Sequence, residues 1–269
     1  MNILVLGDVV GPSGVLAIKK NLPKIISEKK VDFVILNGEN AANNGLGISK
    51  QNSEDFFNAG ADVITSGNHI WDQKETAEFI ENEKRLLRPE NSLSPVPGKG
   101  FGIFISKNNK KVAVANLMGN VFMKKSEDVF KAAKKFIETI KLKIDADFIV
   151  VDMHGETTSE KMAMAHLFDG KATIIFGTHT HVPTSDHRIM ESGTAYQTDI
   201  GMCGDYVSVV GMNQENSLKK FLKDTTAKKH YPALGEATIS GLLVTADEQT
   251  GLAKKVQPII SGGVLQERK

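Results

Sequence analysis

Two histidines, His179 and His181, follow the apolar run of residues 171–176 at the point where a strand should end. Successive side chains of a strand point to opposite faces, so both rings would lie on one face if the chain is extended there. Imidazole nitrogens are common metal ligands. The pair therefore predicts half of a metal site, and the other half should come from elsewhere in the chain.

Four further segments repeat one design, an apolar strand beside a glycine and a residue that can bind metal. They lie at residues 3–8, 33–40, 63–69 and 148–155. Glycine permits a sharp turn and a close backbone approach, so its recurrence indicates strand-end loops gathered over one point. The residues with metal-ligand chemistry at these ends are Asp8, Glu39, Asn40, Asn68, His69 and His154.

The composition shows no strong charge bias. The chain has 33 basic and 32 acidic residues and a formal net charge of +1. No stable nucleic-acid partner is therefore expected, whereas a small anionic substrate is compatible with this composition. The single cysteine, Cys203, excludes an internal disulfide and is expected to be a small buried side chain in a reducing cytosol. No segment approaches the roughly 18 apolar residues of a membrane span. We therefore expect a cytoplasmic protein without a membrane partner.

The elements that must position these residues alternate between strand and helix in the first 65 residues. Such alternation predicts parallel crossovers and a sheet covered by helices, so the fold class is α/β. Pro23 is expected to kink or divide the first helix. A single domain is predicted over residues 1–269. Helices are expected near residues 15–30, 49–59, 73–80, 127–141 and 159–168, and later strands near 101–106, 111–117, 194–198, 237–245 and 253–260.

The glycine-linked blocks stand in a definite order along the chain. They are Gly7-Asp8, Gly38-Glu39-Asn40, Gly67-Asn68-His69, His154-Gly155 and Gly177-Thr178-His179-Thr180-His181. In this order, over residues 1–199, the chain resembles the calcineurin-like metallophosphoesterases. The resemblance implies a metallophosphoesterase domain built as a four-layer α-β-β-α sandwich, with two mixed sheets inside and helices outside.

The first two blocks depart from the common pattern of that superfamily. Asp8 is followed by Val9 and Val10, so the histidine of an Asp-x-His block is absent, and Glu39-Asn40 stands where an aspartate is usual. With these departures the chain is similar to the YmdB-like subfamily of bacterial metallophosphoesterases. The implied activity is hydrolysis of cyclic nucleotides, most of all 2′,3′-cyclic nucleotides.

This resemblance implies a site for two divalent metal ions. Two ions about 3.5 to 4 Å apart need an anionic ligand between them, and we assign Glu39 as that bridge. An oxygen and nitrogen ligand set fits Fe, Mn, Zn or Ni, and the family suggests iron or manganese. The expected ligands are Asp8, Asn40 and His181 for the first ion and Asn68, His154 and His179 for the second.

His69 is not needed as a ligand, and it is the expected general acid. Cleavage of a phosphodiester needs a proton for the departing alkoxide, and imidazole titrates near neutral pH. A hydroxide activated by the two metals would attack phosphorus while His69 protonates the leaving oxygen, giving a 3′-nucleotide. Asp72 is expected to cap the helix at residues 73–80, with orientation of His69 as the alternative.

Two other functions are consistent with the same residues. One is a phosphomonoesterase or nucleotidase, and the other is a regulatory phosphate-binding module with little turnover. Residues 199–206 are expected to form a flexible loop, in which Tyr206 packs rather than stacks on a base. Residues 211–231 are expected to form a helical insertion, serving as a lid or as the contact of a homo-oligomer.

Overall fold

The computed structural model describes residues 1–93 and 95–268, which form thirteen strands and six helices. In chain order these elements are β1 (Asn2–Leu6), β2 (Asp8–Val9), α1 (Gly11–Lys29), β3 (Phe33–Asn37), α2 (Lys50–Asn58), β4 (Val63–Thr65), α3 (Thr76–Phe79), β5 (Phe101–Ile105), β6 (Lys111–Met118), α4 (Val129–Thr139), β7 (Phe148–His154), α5 (Thr158–Phe168), β8 (Ile174–Thr178), β9 (Arg188–Ile189), β10 (Ala195–Gln197), β11 (Met202–Asp205), α6 (Gln214–Phe221), β12 (Ala237–Ala246) and β13 (Ala253–Ser261).

The first sheet has seven strands and brings three of the predicted blocks to one edge. Its order is β2-β11-β12-β1-β3-β4, with β13 on the other side of β12. Strands β1, β3 and β4 are parallel neighbours. Their carboxyl ends therefore meet at the same edge, and the segments that carry Asp8, Glu39 and Asn68 leave from it.

The second sheet has six strands in the order β5-β6-β7-β8-β10-β9. Strands β6, β7 and β8 are parallel, so their carboxyl ends also share one edge. His154 is the last residue of β7, and His179 directly follows β8. Each sheet thus contributes part of the site through its own parallel strands.

Three clusters of buried side chains define the layers. One cluster lies between the sheets and joins residues of β1 and β3 to residues of β6, β7 and β8. A second packs α1 and α2 on the outer face of the first sheet. The third packs α4 and α5 on the outer face of the second sheet. The predicted four-layer α-β-β-α sandwich is confirmed.

The helices follow the predictions with shifted boundaries. α1 begins at Gly11, four residues earlier than expected, because Gly11 with φ 58° turns the chain and Pro12 suits a first helical turn. It continues through Pro23 as one helix, so the expected division is wrong. Ser49 precedes α2 as its N-cap, and its hydroxyl accepts the N–H of Asn52 in a capping box. None of the described helices is both long and apolar enough to cross a membrane.

The prediction of a flexible loop at residues 199–206 is wrong. Residues 202–205 form β11, which is buried and pairs with β2 and β12. Cys203 in this strand is fully buried, as expected, and burial raises the pKa of its thiol to about 12. The segment 211–231 holds one short helix, α6, rather than a helical insertion along its length. The short strands β2, β9 and β11 were not predicted.

Candidate metal centre

The two histidines of the opening motif reach the site by a route that differs from the extended strand predicted for them. β8 ends at Thr178, and His179 and His181 have φ angles of 95° and 65°. Positive φ is costly for residues other than glycine, so the turn is held by its surroundings. The condition of an extended chain is therefore not met at this pair, although both rings point into the same centre.

His154 lies at the middle of one group of side chains. Its Nε2 atom is 3.0 Å from Glu39 Oε1, 3.0 Å from Asn68 Oδ1 and 3.1 Å from His179 Nδ1. A single ring nitrogen carries at most one proton, so it cannot satisfy three such neighbours at once. A carboxylate oxygen, an amide oxygen and two imidazole rings thus converge on one point, and a divalent cation bound there would be a ligand partner for all of them.

Asp8, Asn40 and His181 form a second group beside the first. His181 Nε2 lies 3.3 Å from Asn40 Oδ1, while His181 Nδ1 lies 2.8 Å from the carbonyl oxygen of Val210. Asp8 Oδ2 accepts the N–H of His179 at 3.1 Å. Asp8 is fully buried, and its Oδ1 has no hydrogen-bond partner within the part of the chain that the structure describes.

The residues of both groups fit a pair of divalent cations. A buried carboxylate oxygen without a partner costs free energy unless a cation binds it. Gly67 shows how closely the side chains approach the backbone, because a Cβ there would overlap His154 Nε2 and Glu39 Oε2. The space over this glycine is thus filled by the two ligand atoms. The side chains of both groups offer only oxygen and nitrogen atoms as ligands.

The ionisation of these groups is strongly coupled. Burial opposes the charge of Glu39, but the facing His154 holds the pKa of this carboxyl at about 2. Burial would likewise lower the pKa of His154, and Glu39 and Asp8 raise it to about 9. Burial and the nearby charge of His154 lower the pKa of His179 to about 3. A proton on His154 therefore balances the charge of the Glu39 carboxylate in the metal-free protein, and a bound cation would take its place.

Asp152 supports His154 from beneath and was not predicted. His154 Nδ1 lies 2.9 Å from Thr178 Oγ1, and Thr178 donates to Asp152 Oδ1 at 2.7 Å. Since the Thr178 hydroxyl proton goes to the carboxylate, His154 Nδ1 must donate. The proton that pairs His154 with Glu39 in the metal-free protein therefore sits on Nε2, and its loss would leave Nε2 as the nitrogen that can bind a metal. Burial raises the pKa of Asp152 to about 6, and donors from Thr65 and Asn37 stabilise its charge.

A buried ion pair holds the turn between the two histidines and was also missed. Lys161 Nζ lies 2.7 Å from Asp199 Oδ2, and both side chains are 1% exposed. The same carboxylate oxygen accepts the N–H of Thr180 at 3.1 Å and its hydroxyl at 2.7 Å. Tyr206 donates its hydroxyl to the carbonyl oxygen of His181 at 3.1 Å. Tyr206 thus packs under the turn, as the sequence suggested.

His69 lies at the rim, next to the ligand group. Its Nδ1 is 2.6 Å from Asp72 Oδ2, and its backbone N–H donates to Glu39 Oε2 at 3.1 Å. The expectation that Asp72 caps a helix is wrong, because α3 begins only at Thr76 and Glu75 precedes it as the cap residue. Asp72 instead pairs with His69, which was the alternative.

Two further rim residues touch the site. Lys124 Nζ donates to the carbonyl oxygen of Asn68 at 2.7 Å and lies 3.4 Å from Asp72 Oδ1. Glu156 Oε2 lies 3.1 Å from His179 Nε2, so it can hold this ring with Nδ1 turned toward His154. Glu156 is two residues from His154 and could have been suspected from that spacing. Lys124 has no such signal, since its contacts lie 52 and 56 residues away in the chain.

The two packed sheets and the histidine, carboxylate and amide side chains at their shared edge define a metallophosphoesterase. Comparison with known proteins agrees with this class. The family described as YmdB-like protein matches residues 4–259. The chain belongs to the YmdB-like family.

Individual relatives cover nearly the whole chain. A 2′,3′-cyclic-nucleotide 2′-phosphodiesterase of Bacillus subtilis (strain 168) is 41% identical over 260 residues, which is 97% of each chain. A crystal structure of a hypothetical protein from Thermus thermophilus superposes with a TM-score of 0.89 at 36% identity, covering 98% of this chain and 100% of the other. A crystal structure of a novel phosphatase from Mycoplasma pneumoniae gives a TM-score of 0.89 at 38% identity, covering 97% of this chain and 93% of the other.

Proposed function

We propose that this enzyme hydrolyses 2′,3′-cyclic nucleotides to 3′-nucleotides, using two divalent metal ions and His69 as the proton donor. The observation that carries the proposal is the position of His69 beside the ligand cluster. Its backbone N–H binds the Glu39 carboxylate, while its ring faces the rim and pairs with Asp72. The name of the Bacillus subtilis relative supports the same substrate class.

The metal ions are assigned to the two groups of side chains, with Glu39 proposed as the bridge between them. When bound, two such ions supply a hydroxide near neutral pH and neutralise charge on the phosphoryl oxygens. Iron or manganese is the proposed metal because the family resemblance suggests it, while the oxygen and nitrogen ligands would also accept zinc or nickel. The ligands would be Asp8, Asn40 and His181 on one side and Asn68, His154 and His179 on the other.

His69 is proposed to protonate the oxygen that leaves phosphorus. With Nδ1 donating to Asp72, the ring keeps Nε2 free to deliver a proton to the 2′ oxygen of the ribose. Asp72 accepts the hydrogen bond from Nδ1 and so fixes the orientation of the ring, and Lys124 in turn contacts Asp72. Breaking the 2′ ester bond leaves the phosphate on the 3′ oxygen.

A near-neutral chain suits a small substrate with one phosphate. The balance of 33 basic and 32 acidic residues gives no global electrostatic argument for binding a long nucleic acid. The single domain predicted for residues 1–269 would carry the whole site, and the cytoplasmic location stays a prediction.

The test is a substrate panel assayed on one metal-loaded preparation whose metal content is measured. We expect 2′,3′-cyclic AMP and its guanine and pyrimidine counterparts to give 3′-nucleotides as the main chromatographic product. A dominant 2′-phosphate product, or faster hydrolysis of phosphomonoesters than of every cyclic diester, would contradict the proposal in favour of a nucleotidase. Metal binding without turnover of any ester would favour a regulatory phosphate-binding module.

A further inference from the structure

The loop of residues 119–125, between β6 and α4, spans two of the segments that carry proposed metal ligands. At its start the N–H of Gly119 donates to the carbonyl oxygen of His154 at 2.9 Å. Near its end Lys124 Nζ donates to the carbonyl oxygen of Asn68 at 2.7 Å. These two contacts anchor the loop beside the backbones of His154 and Asn68, and Phe122 stands between the two anchors in the chain, on the side of the molecule that carries the site.

This loop is held in place by its own contacts. The carboxylate of Glu160, itself buried, accepts the N–H of Asn120 at 2.9 Å and that of Val121 at 3.1 Å. Asn120 Nδ2 also donates to Ser126 Oγ at 3.0 Å and to the carbonyl oxygen of Glu127 at 2.9 Å. A loop fixed at both ends presents its central side chain in a defined position rather than leaving it to fold back.

This loop leaves the side chain of Phe122 exposed to solvent. Its side chain is 87% exposed, and its backbone adopts a φ of 61°, in the left-handed region that a residue with a Cβ rarely occupies. An exposed aromatic ring on a strained backbone does not contribute to the stability of the fold. Such strain commonly marks a position used for binding.

We infer that Phe122 is the platform on which the base of a nucleotide substrate stacks. The inference rests on the proposed function, since it takes the phosphate to lie at the cluster around His154 and Glu39. The base of a 2′,3′-cyclic nucleotide then projects away from phosphorus on the far side of the ribose, toward the rim. A flat ring stacks on purines and pyrimidines alike because every base has a π face, so the enzyme should discriminate weakly among bases.

The discriminating experiment compares a cyclic nucleotide with the same phosphate lacking its base. Steady-state kinetics of the metal-loaded whole chain use 2′,3′-cyclic AMP and methyl riboside 2,3-cyclic phosphate. Phe122→Ala should raise KM for the nucleotide by about 5- to 100-fold, with little change in kcat, and leave KM for the base-free ester unchanged. Phe122→Trp should restore the KM for the nucleotide.

A matched control is Phe221→Ala, which removes another exposed phenylalanine, 78% exposed at the end of α6. This variant should leave both KM values unchanged. Calorimetric titration with 3′-AMP gives a readout independent of turnover, and Phe122→Ala should weaken its binding by a factor similar to that seen in KM. Unchanged melting temperatures would show that both variants fold.

Four results would overturn the inference. Phe122→Ala could change KM for both esters equally, or for neither. It could also halve the particle mass in sedimentation with both KM values unchanged, which would assign Phe122 to a contact between copies of the chain. If the wild-type enzyme hydrolyses neither cyclic ester, the proposed reaction itself fails, and the base platform fails with it.

Discussion

The floor of the site and its rim are built on opposite principles. The floor consists of Asp8, Glu39, Asp152 and His154, all at most 1% exposed and held by groups that are themselves buried. The rim consists of His69, Asp72, Phe122 and Lys124, which are all at least partly in contact with water. Buried charges need partners, whereas exposed groups can exchange protons and meet a substrate. The floor is therefore suited to holding cations and the rim to chemistry and recognition.

We expect the largest effect when the Glu39 carboxylate, proposed to be shared by the two groups of the floor, is removed. Glu39→Ala removes the carboxylate proposed to bridge the two groups and takes away the partner of His154 Nε2, so both proposed ions or their spacing should be lost, together with activity. Metal analysis and steady-state assay of the same sample measure this. The matched control is Glu156→Gln at the rim, which should keep both ions. Full activity with unchanged metal content in Glu39→Ala would contradict the division between floor and rim.

The second effect concerns proton delivery at the rim. His69→Ala should keep its metal ions while kcat for cyclic nucleotides falls by about 10²- to 10⁴-fold, as is typical when a general acid is lost. Aryl phosphodiesters should lose less, because their leaving group needs little protonation. Asp72→Asn should fall between wild type and His69→Ala. An equal loss for both substrate types would instead assign His69 to the floor as a ligand or structural residue.

The third effect compares a buried ion pair with an exposed one. Lys161→Met leaves Asp199 buried without its cation, so the free energy of unfolding should fall by about 3–5 kcal/mol. Lys19→Met breaks a pair of similar length with Asp55 at the surface, where the lysine side chain is 47% exposed. It should cost at most about 1 kcal/mol. Urea denaturation of the metal-free proteins measures both, and equal costs would show that burial of the pair is not what holds the histidine turn.

The smallest effect is the pH dependence of metal binding. In the metal-free protein His154 has a pKa of about 9 and must lose its proton before it can bind a cation. Below pH 9 each binding event therefore releases this proton, and the apparent affinity should rise by about tenfold per pH unit between pH 7 and 8.5. Calorimetry with Mn²⁺ in buffers of different ionisation enthalpy measures the release. His69→Gln should leave it unchanged, and an affinity independent of pH would contradict the proton on His154.

Much of the fold could be predicted because the hydrophobic pattern is local. The runs that become β1, β3, β7 and β8 are continuous apolar segments, as expected for strands buried on both faces. The short strand β11 was missed because residues 202–205, Met-Cys-Gly-Asp, show no such pattern. They form a strand because the edges of β2 and β12 lie on either side and pair with them.

The sequence by itself determined which residue types stand at the ends of the strands, and that a parallel sheet would gather them. Only the tertiary structure decided how they are held. Asp152 meets Asn37 across 115 residues, Lys161 meets Asp199 across 38, and Lys124 meets Asn68 across 56. It also turned His179 and His181 into the left-handed region, where a strand pattern predicts an extended chain. These contacts join different elements and sheets, so their energy comes from burial and geometry that no local spacing of residues can encode.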